Sequence, residues 1–114
     1  MTNWSGQRKQ PPNSASKVRD VREERTVEKD VNAAYLRWPR TEEAWEAVTW
    51  ALARDPFSAG PAINGSGLVR SLVFEGARSI GMPTVRVIYV IEPAVVIVKA
   101  AVFEDSEHMY AGRA

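Results

Sequence analysis

Two segments in the first half of the chain repeat apolar residues at the spacing of an α-helix. In residues 26–38 and again in residues 41–56, apolar positions recur every three or four residues, which predicts two helices that each bury one face. Thr26 and Thr41 are the predicted N-cap residues, and a proline follows each helix and ends it. The predicted buried stripes are Val27, Val31, Ala34, Tyr35 and Trp38 in the first helix, and Ala44, Trp45, Val48, Ala51 and Leu52 in the second.

The hydrophobic period changes to two after a predicted loop at residues 57–67. Residues 68–75 predict one strand, and "TVRVIYVIEPAVVIVKAAVFED", Thr84–Asp105, predicts two more that are joined by a turn at its Glu-Pro-Ala. Residues 21–26 predict a weaker, polar strand. Because only two residues separate the helices, we expect them to fold back on each other. The order of elements predicts an α+β fold, with an N-terminal helical hairpin packed on one face of a small, mainly antiparallel sheet.

The last two strands carry cations among apolar residues. A turn at Glu92–Val95 predicts that Ile88 lies opposite Lys99 and that Arg86 lies opposite Ala101, with all four side chains facing outward. Arg86 is then diagonal to Lys99, and two like charges so placed repel each other unless an anion or a carboxylate lies between them. The pattern therefore predicts a phosphate site or a site for an acidic partner. The whole predicted outward side is Arg86, Ile88, Val90, Ile97, Lys99, Ala101 and Phe103.

Two more arginines extend this basic surface. Arg70 lies on the neighbouring strand, and Arg78 lies in the connection that follows it. The pattern also allows a structural interpretation, in which the long stems of these cations cover apolar surface and Glu75 or Glu104 pairs with the charges.

Composition limits the classes of function. The 114 residues predict a single domain, residues 21–114, after a flexible basic arm, residues 1–20. A net charge of +1 gives no general attraction to nucleic acid or membrane, so any basic site is local. The chain has no cysteine, which excludes thiolate zinc sites. No cofactor and no metal are expected, and without an export signal or a spanning segment the expected location is the cytoplasm.

Several stretches together resemble the RelE/ParE superfamily of bacterial type II toxins. They are "ALARDPFSAG", "LVRSLVF" and "VRVIYVIEPAVVIVKAAVFED", followed closely by a tyrosine, and the resemblance covers about residues 21–110. The resemblance implies a small toxin that a cognate antitoxin neutralises. RelE-like members cut messenger RNA on the ribosome, whereas ParE-like members poison DNA gyrase, so the implied partners are an antitoxin and either the ribosome with its mRNA or gyrase.

The resemblance also implies roles for individual residues. Arg86 matches the central-strand arginine of the family, Arg70 approximates a basic residue of the preceding strand, and Tyr110 matches the C-terminal tyrosine; these three, together with His108, are the predicted catalytic residues. His108, the single histidine, is a candidate base or else a bystander. Lys99 and Arg78 are the predicted contacts to the target.

One position departs from the nuclease pattern. Glu104 stands where RelE nucleases have basic residues, and a carboxylate there repels the scissile phosphate. The alternative is therefore a non-catalytic protein with a degenerate toxin fold that serves as an interaction module. Trp50 falls off the predicted stripe of its helix and is expected to be exposed, as a contact for the antitoxin.

Overall fold

The computed structural model of the protein describes residues 18–110, so residues 1–17 of the predicted arm and residues 111–114 lie outside the described part. Within that part the chain forms four strands, three α-helices and one short 3₁₀ helix. In chain order these are β1 (Asp20–Glu23), α1 (Arg25–Tyr35), α2 (Thr41–Arg54), α3 (Pro56–Ala59), β2 (Val69–Phe74), the 3₁₀ helix (Arg78–Ile80), β3 (Thr84–Ile91) and β4 (Val95–Glu104).

The four strands form one mixed sheet in the order β1-β4-β3-β2. β3 is antiparallel to both of its neighbours, and β1 is parallel to β4. A parallel pair requires a crossover between its strands, and both long helices and two strands lie between β1 and β4 in the chain. The molecule is therefore an α+β protein, and the weak polar strand predicted from the sequence is an edge strand of its sheet.

The core lies between the helices and one side of the sheet. Trp38 and Trp45 are buried, as predicted. Tyr35 is instead 45% exposed, so its predicted place in the buried stripe is wrong. The buried cluster consists of Val27, Val31, Ala44, Trp45, Val48 and Leu52 from the helices, and Val85, Val87, Tyr89, Ile91, Val96, Val98 and Ala101 from the sheet. Burial of each large aliphatic side chain contributes about 1.5–3 kcal/mol.

Both predicted N-caps differ from those observed. β1 leads almost directly into α1, and the carbonyl of Glu24 accepts hydrogen bonds from the amides of Val27 and Glu28, so Glu24 is the N-cap. Thr41 is the first residue of α2 rather than its cap. The buried hydroxyl of Thr41 lies 2.9 Å from the carbonyl oxygens of both Ala34 and Trp38, which share its one proton. It therefore satisfies the end of α1, where carbonyl groups lack partners within the helix.

The loop predicted for residues 57–67 begins later than expected, because Pro56 starts the short helix α3 instead of only ending α2. Pro56 is buried, and its carbonyl oxygen accepts a 2.6 Å hydrogen bond from the Tyr89 hydroxyl. Proline suits the first turn of a helix because its missing N–H would have no partner there. This contact attaches α3 to the central strand.

The hairpin of β3 and β4 contains a β-bulge that the hydrophobic pattern did not predict. From the turn to the pair Tyr89–Val98 the observed register is the predicted one. Lys99 is then an extra residue, because Ile88 lies opposite Ala100 instead of Lys99. One extra residue shifts the pairing by one position for the rest of the strand.

The bulge exchanges the two sides of the second half of β4. The predicted partner of Arg86 is Ala101, and the observed partner is Val102. Ala101 is buried and Phe103 packs against the core, so their predicted outward placement is wrong. A register change of one residue moves every following side chain to the other face. Glu104 consequently lies on the same face as Arg86.

Candidate functional site

The side of the sheet away from the core carries exposed aliphatic side chains. Val73, Ile88 and Val102 are 42%, 39% and 53% exposed. Val73 in β2 and Val102 in β4 lie on either side of Arg86 in β3. We call the surface formed by Val73, Arg86, Ile88, Val102 and Glu104 the open face. It combines an apolar patch with one ion pair.

Arg86 is surrounded by carboxylates. Its Nε donates a 2.6 Å hydrogen bond to Oε2 of Glu104, and both side chains are about half exposed. The hydrogen bond and the charge of Glu104 raise the pKa of Arg86 above its ordinary value, and the charges of Glu75 and Glu107 raise it further. Arg86 of the central strand is therefore held by an anion that belongs to the same chain.

Lys99 has a carboxylate partner of its own. Its Nζ donates a 2.6 Å hydrogen bond to Oε2 of Glu24, the residue between β1 and α1. The predicted diagonal contact between Lys99 and Arg86 does not occur, because the bulge shifts the register between them. The two cations thus form two separate ion pairs.

Arg70 lies on the side of the sheet opposite to its predicted one. It pairs with Tyr89, whose side chain is in the core, so strand alternation directs Arg70 to the helix side. Its Nε donates to the carbonyl of Gly67, and its Nη1 donates to the carbonyls of Phe57 and Gly60, at 2.8–2.9 Å. Arg70 therefore holds the loop and α3 against β2, and its predicted placement beside Arg86 is wrong.

Arg78 holds the C-terminal segment that follows β4. Its Nε donates a 3.0 Å hydrogen bond to the carbonyl of Ser106, and its backbone amide donates to the carbonyl of His108. The next amide, of Ser79, donates to the carbonyl of Met109. The segment thereby runs along the 3₁₀ helix, and Nε of the exposed Arg78 is used in that contact.

His108 and Tyr110 occupy different surroundings in this segment. Nε2 of His108 lies 3.2 Å from Oε1 of Glu75. Glu75 is also one of the carboxylates whose charge acts on Arg86, so the structure brings Arg86 and His108 to the same end of the sheet. Tyr110 is exposed, as is Trp50, whose exposure the sequence predicts correctly.

This arrangement limits the chemistry available at the open face. Cleavage of RNA without a metal requires positive charge close to the scissile phosphate. Glu104, Glu75 and Glu107 surround the one arginine of this face, and each of them repels a phosphate. The pairing of Arg86 with Glu104 is the ion pair that the structural interpretation of the sequence predicts. The sequence did not predict Glu24 as the partner of Lys99 or Glu107 as a neighbour of Arg86. No local pattern links Glu24 to a lysine 75 residues away.

Comparison of the chain with protein-family models, with curated proteins and with solved structures gives no match. Among residues 18–110, no group of three or more histidine, aspartate or glutamate side chains is arranged to hold a metal ion. No helix in the same part of the chain has the length and apolar character required to cross a membrane.

Proposed function

We propose that this protein is a growth-inhibiting toxin of the RelE/ParE type that acts by binding a protein target rather than by cutting RNA. The order strand, two helices and three strands, with a central-strand arginine on the open face, supports the resemblance to that superfamily. Gyrase is the target that the resemblance implies for a member of the ParE kind. The cognate antitoxin neutralises the toxin by covering the same face.

The pairing of the cations is the observation that carries this proposal. Arg86 is bound by Glu104, Lys99 is bound by Glu24, and Arg70 is directed to the core side of the sheet. What remains for a partner on the open face is mainly apolar area around Ile88, with a half-exposed ion pair beside it. An apolar centre with a charged rim is typical of protein–protein interfaces.

Induced expression in a bacterial host tests the proposal. The wild type and Ile88→Asp are compared with the control Leu36→Asp, which places the same charge on another exposed apolar residue, outside the open face. We expect growth arrest with the wild type and the control, and none with Ile88→Asp, because a buried carboxylate opposes binding. Circular dichroism checks that all three proteins fold.

Mapping of transcript ends during the arrest separates the two modes of action. We expect intact messages, together with DNA breaks if gyrase is the target. New message ends that disappear in Arg86→Ala would show that the protein is a nuclease after all. Arrest that is unchanged by Ile88→Asp would show that the open face is not the binding surface.

The second candidate is a non-toxic interaction module with the same fold. The carboxylates around Arg86 favour it, because they neutralise the residue that matches the active centre of the nucleases. Absence of growth arrest with the folded wild type would favour this candidate and contradict the toxin proposal.

A further inference from the structure

Among residues 18–110, half of β4 has no partner strand on one edge. β1 pairs only with Val95–Val98, whereas β4 continues to Glu104. Beyond the bulge, residues 100–104 are paired with β3 on one side only. An unpaired strand edge offers a row of backbone donors and acceptors to another strand, and natural proteins usually cover or charge such an edge. Between Lys99 and Glu104, however, this edge has only apolar side chains.

A cleft runs beside the free edge, beneath α1. Its volume is about 330 Å³, and its lining includes Asp30, Ala33 and Arg37 on the helix side and Ala101, Val102 and Phe103 of β4. The cleft is wide and open, so an added strand meets both the backbone edge and the side of the helix.

The helix side of the cleft is complementary to itself. Asp30 lies in α1 and Arg37 lies in the turn two residues after the end of α1, and Ala33 and Ala34 are midway between them in the sequence. A second copy turned by 180° about that midpoint places its Arg37 beside Asp30 and its Asp30 beside Arg37. The small alanines at the centre permit close approach. Within the described residues neither charge forms an ion pair.

The strand side of the cleft fits the same rotation. In an antiparallel pair, residues opposite each other point to the same face. With Val102 on the two-fold axis, Ala101 lies opposite Phe103 of the second copy, on the core side, so a small residue faces a large one. The two Val102 side chains meet on the outer side, where each is 53% exposed in the single chain.

We infer that the free edge of β4 and the adjoining side of α1 are the interface of a symmetric dimer, in which two four-stranded sheets join through residues 100–104. Both copies contribute the same surface to this interface, as a two-fold axis requires. A second copy turned about the two-fold axis carries Asp30 and Arg37 in the reversed order that both ion pairs require. An unrelated extended peptide would carry these charges only by coincidence, so the reciprocal pairing favours a second copy as the partner.

Sedimentation of the full chain over a range of concentrations tests the inference. We expect a reversible dimer. Asp30→Arg places arginines against each other and should raise the dimer Kd about tenfold or more. The double variant Asp30→Arg with Arg37→Asp restores the dimer, because the reversed charges again pair across the axis. Glu46→Arg, an equal charge reversal on α2 away from the cleft, leaves the Kd unchanged.

The position on the axis gives a second and independent test. Val102→Lys alone and Val102→Glu alone should be monomeric, because each places two like charges at the axis. A mixture of the two variants should form a heterodimer, which also shows that both proteins are folded.

Three outcomes would overturn the inference. The first is a protein that stays monomeric at the highest concentration it reaches. The second is a dimer that is insensitive to Asp30→Arg and to Val102→Lys, because another surface then joins the copies. The third is slow hydrogen exchange, at every concentration, of those amides of residues 100–104 that point away from β3, because a segment of the same chain then covers the edge.

Discussion

Arg86, Lys99 and Arg70 carry the same charge in three different environments. Arg86 is paired with a carboxylate on the open face, and Lys99 is paired with one at the start of α1. Arg70 donates to three carbonyl groups on the core side. Their chemical availability is therefore set by partners that are distant in sequence. A count of basic residues overstates the positive charge that this surface offers to a phosphate.

Tyr89 shows how one polar group is accommodated in the centre of the core. Its side chain is fully buried, and its hydroxyl donates to the carbonyl of Pro56 at 2.6 Å. Burial raises the pKa of Tyr89 above the ordinary value of 10.0, because the ionised form would lose its hydration. The neutral phenol is thus favoured more strongly in the folded protein than in the unfolded chain.

Tyr89→Phe is expected to lower the free energy of unfolding by about 1 kcal/mol at neutral pH, through loss of one buried hydrogen bond. As the pH rises, Tyr89 ionises at a lower pH in the unfolded chain than in the folded protein. Alkaline pH therefore lowers the stability of the wild type through this residue, whereas the variant lacks this effect. The difference between the two proteins should therefore shrink above about pH 10. Urea unfolding at several pH values measures it, with the exposed Tyr110→Phe as control. A difference that stays constant to high pH would contradict the assigned role of burial.

At the scale of elements, the bulge at Lys99 decides which side chains share a face. Before it, Val96 and Val98 are in the core; after it, Ala101 and Phe103 are on the core side. If Lys99 were paired with β3 like its neighbours, alternation from Val98 would place Ala100 and Val102 inward. The bulge also lies where β1 stops pairing with β4, so it separates the covered half of the strand from the free half.

Deletion of Lys99 should leave a folded protein with a regular β3–β4 ladder. Ile88 already lies opposite Ala100, so the pairs on both sides of the deletion keep their partners and their faces. We expect cooperative urea unfolding, with a loss of no more than about 1 kcal/mol for the exposed pair with Glu24. Deletion of Val87 in β3 is the matched control, and it should prevent folding because it reverses the alternation of a central strand. Failure of the Lys99 deletion to fold would mean that the twist of the bulge is required.

The sequence predicts the elements better than their pairing. The helices are predicted because their buried stripes are local patterns, and Val27, Val31, Trp45 and Val48 are buried as expected. The bulge is not predicted, because only the partner strand determines which residue is extra. Arg70 is misplaced for the same reason, since its face depends on the pairing of β2 with β3. Arg86 is placed correctly on the open face, and its ion-pair partner Glu104 is one of the two carboxylates that the structural interpretation names.

At the scale of the whole molecule, the C-terminal segment is held by polar contacts rather than by the core. Nε1 of Trp38 donates to Asp105 at 2.9 Å, and Arg78 and its neighbour bind the segment further along. Met109 and Tyr110 are exposed. Few buried apolar contacts are typical of regions that open without global unfolding.

Arg78→Met should loosen this segment while the rest of the molecule stays folded. Loss of the side-chain hydrogen bond to Ser106 weakens the two neighbouring backbone hydrogen bonds, which the amides of residue 78 and Ser79 donate to the segment. These two amides should therefore exchange with solvent about tenfold faster. Core amides such as that of Val87 should exchange as before. Arg54→Met, which removes an exposed arginine from α2, is the control. Equal acceleration at core amides would show that the segment is part of the cooperative fold.

The division between the core side of the sheet and the open face has a consequence for how this protein can change over generations. Substitutions at Val73, Ile88 or Val102 alter residues that are about half exposed, so folding imposes less selection on them than on the core. Their alternating neighbours Val85, Val87 and Val98 are fixed by packing. A lineage could therefore exchange one binding partner for another by drift and selection on a few positions, while it inherits an unchanged scaffold.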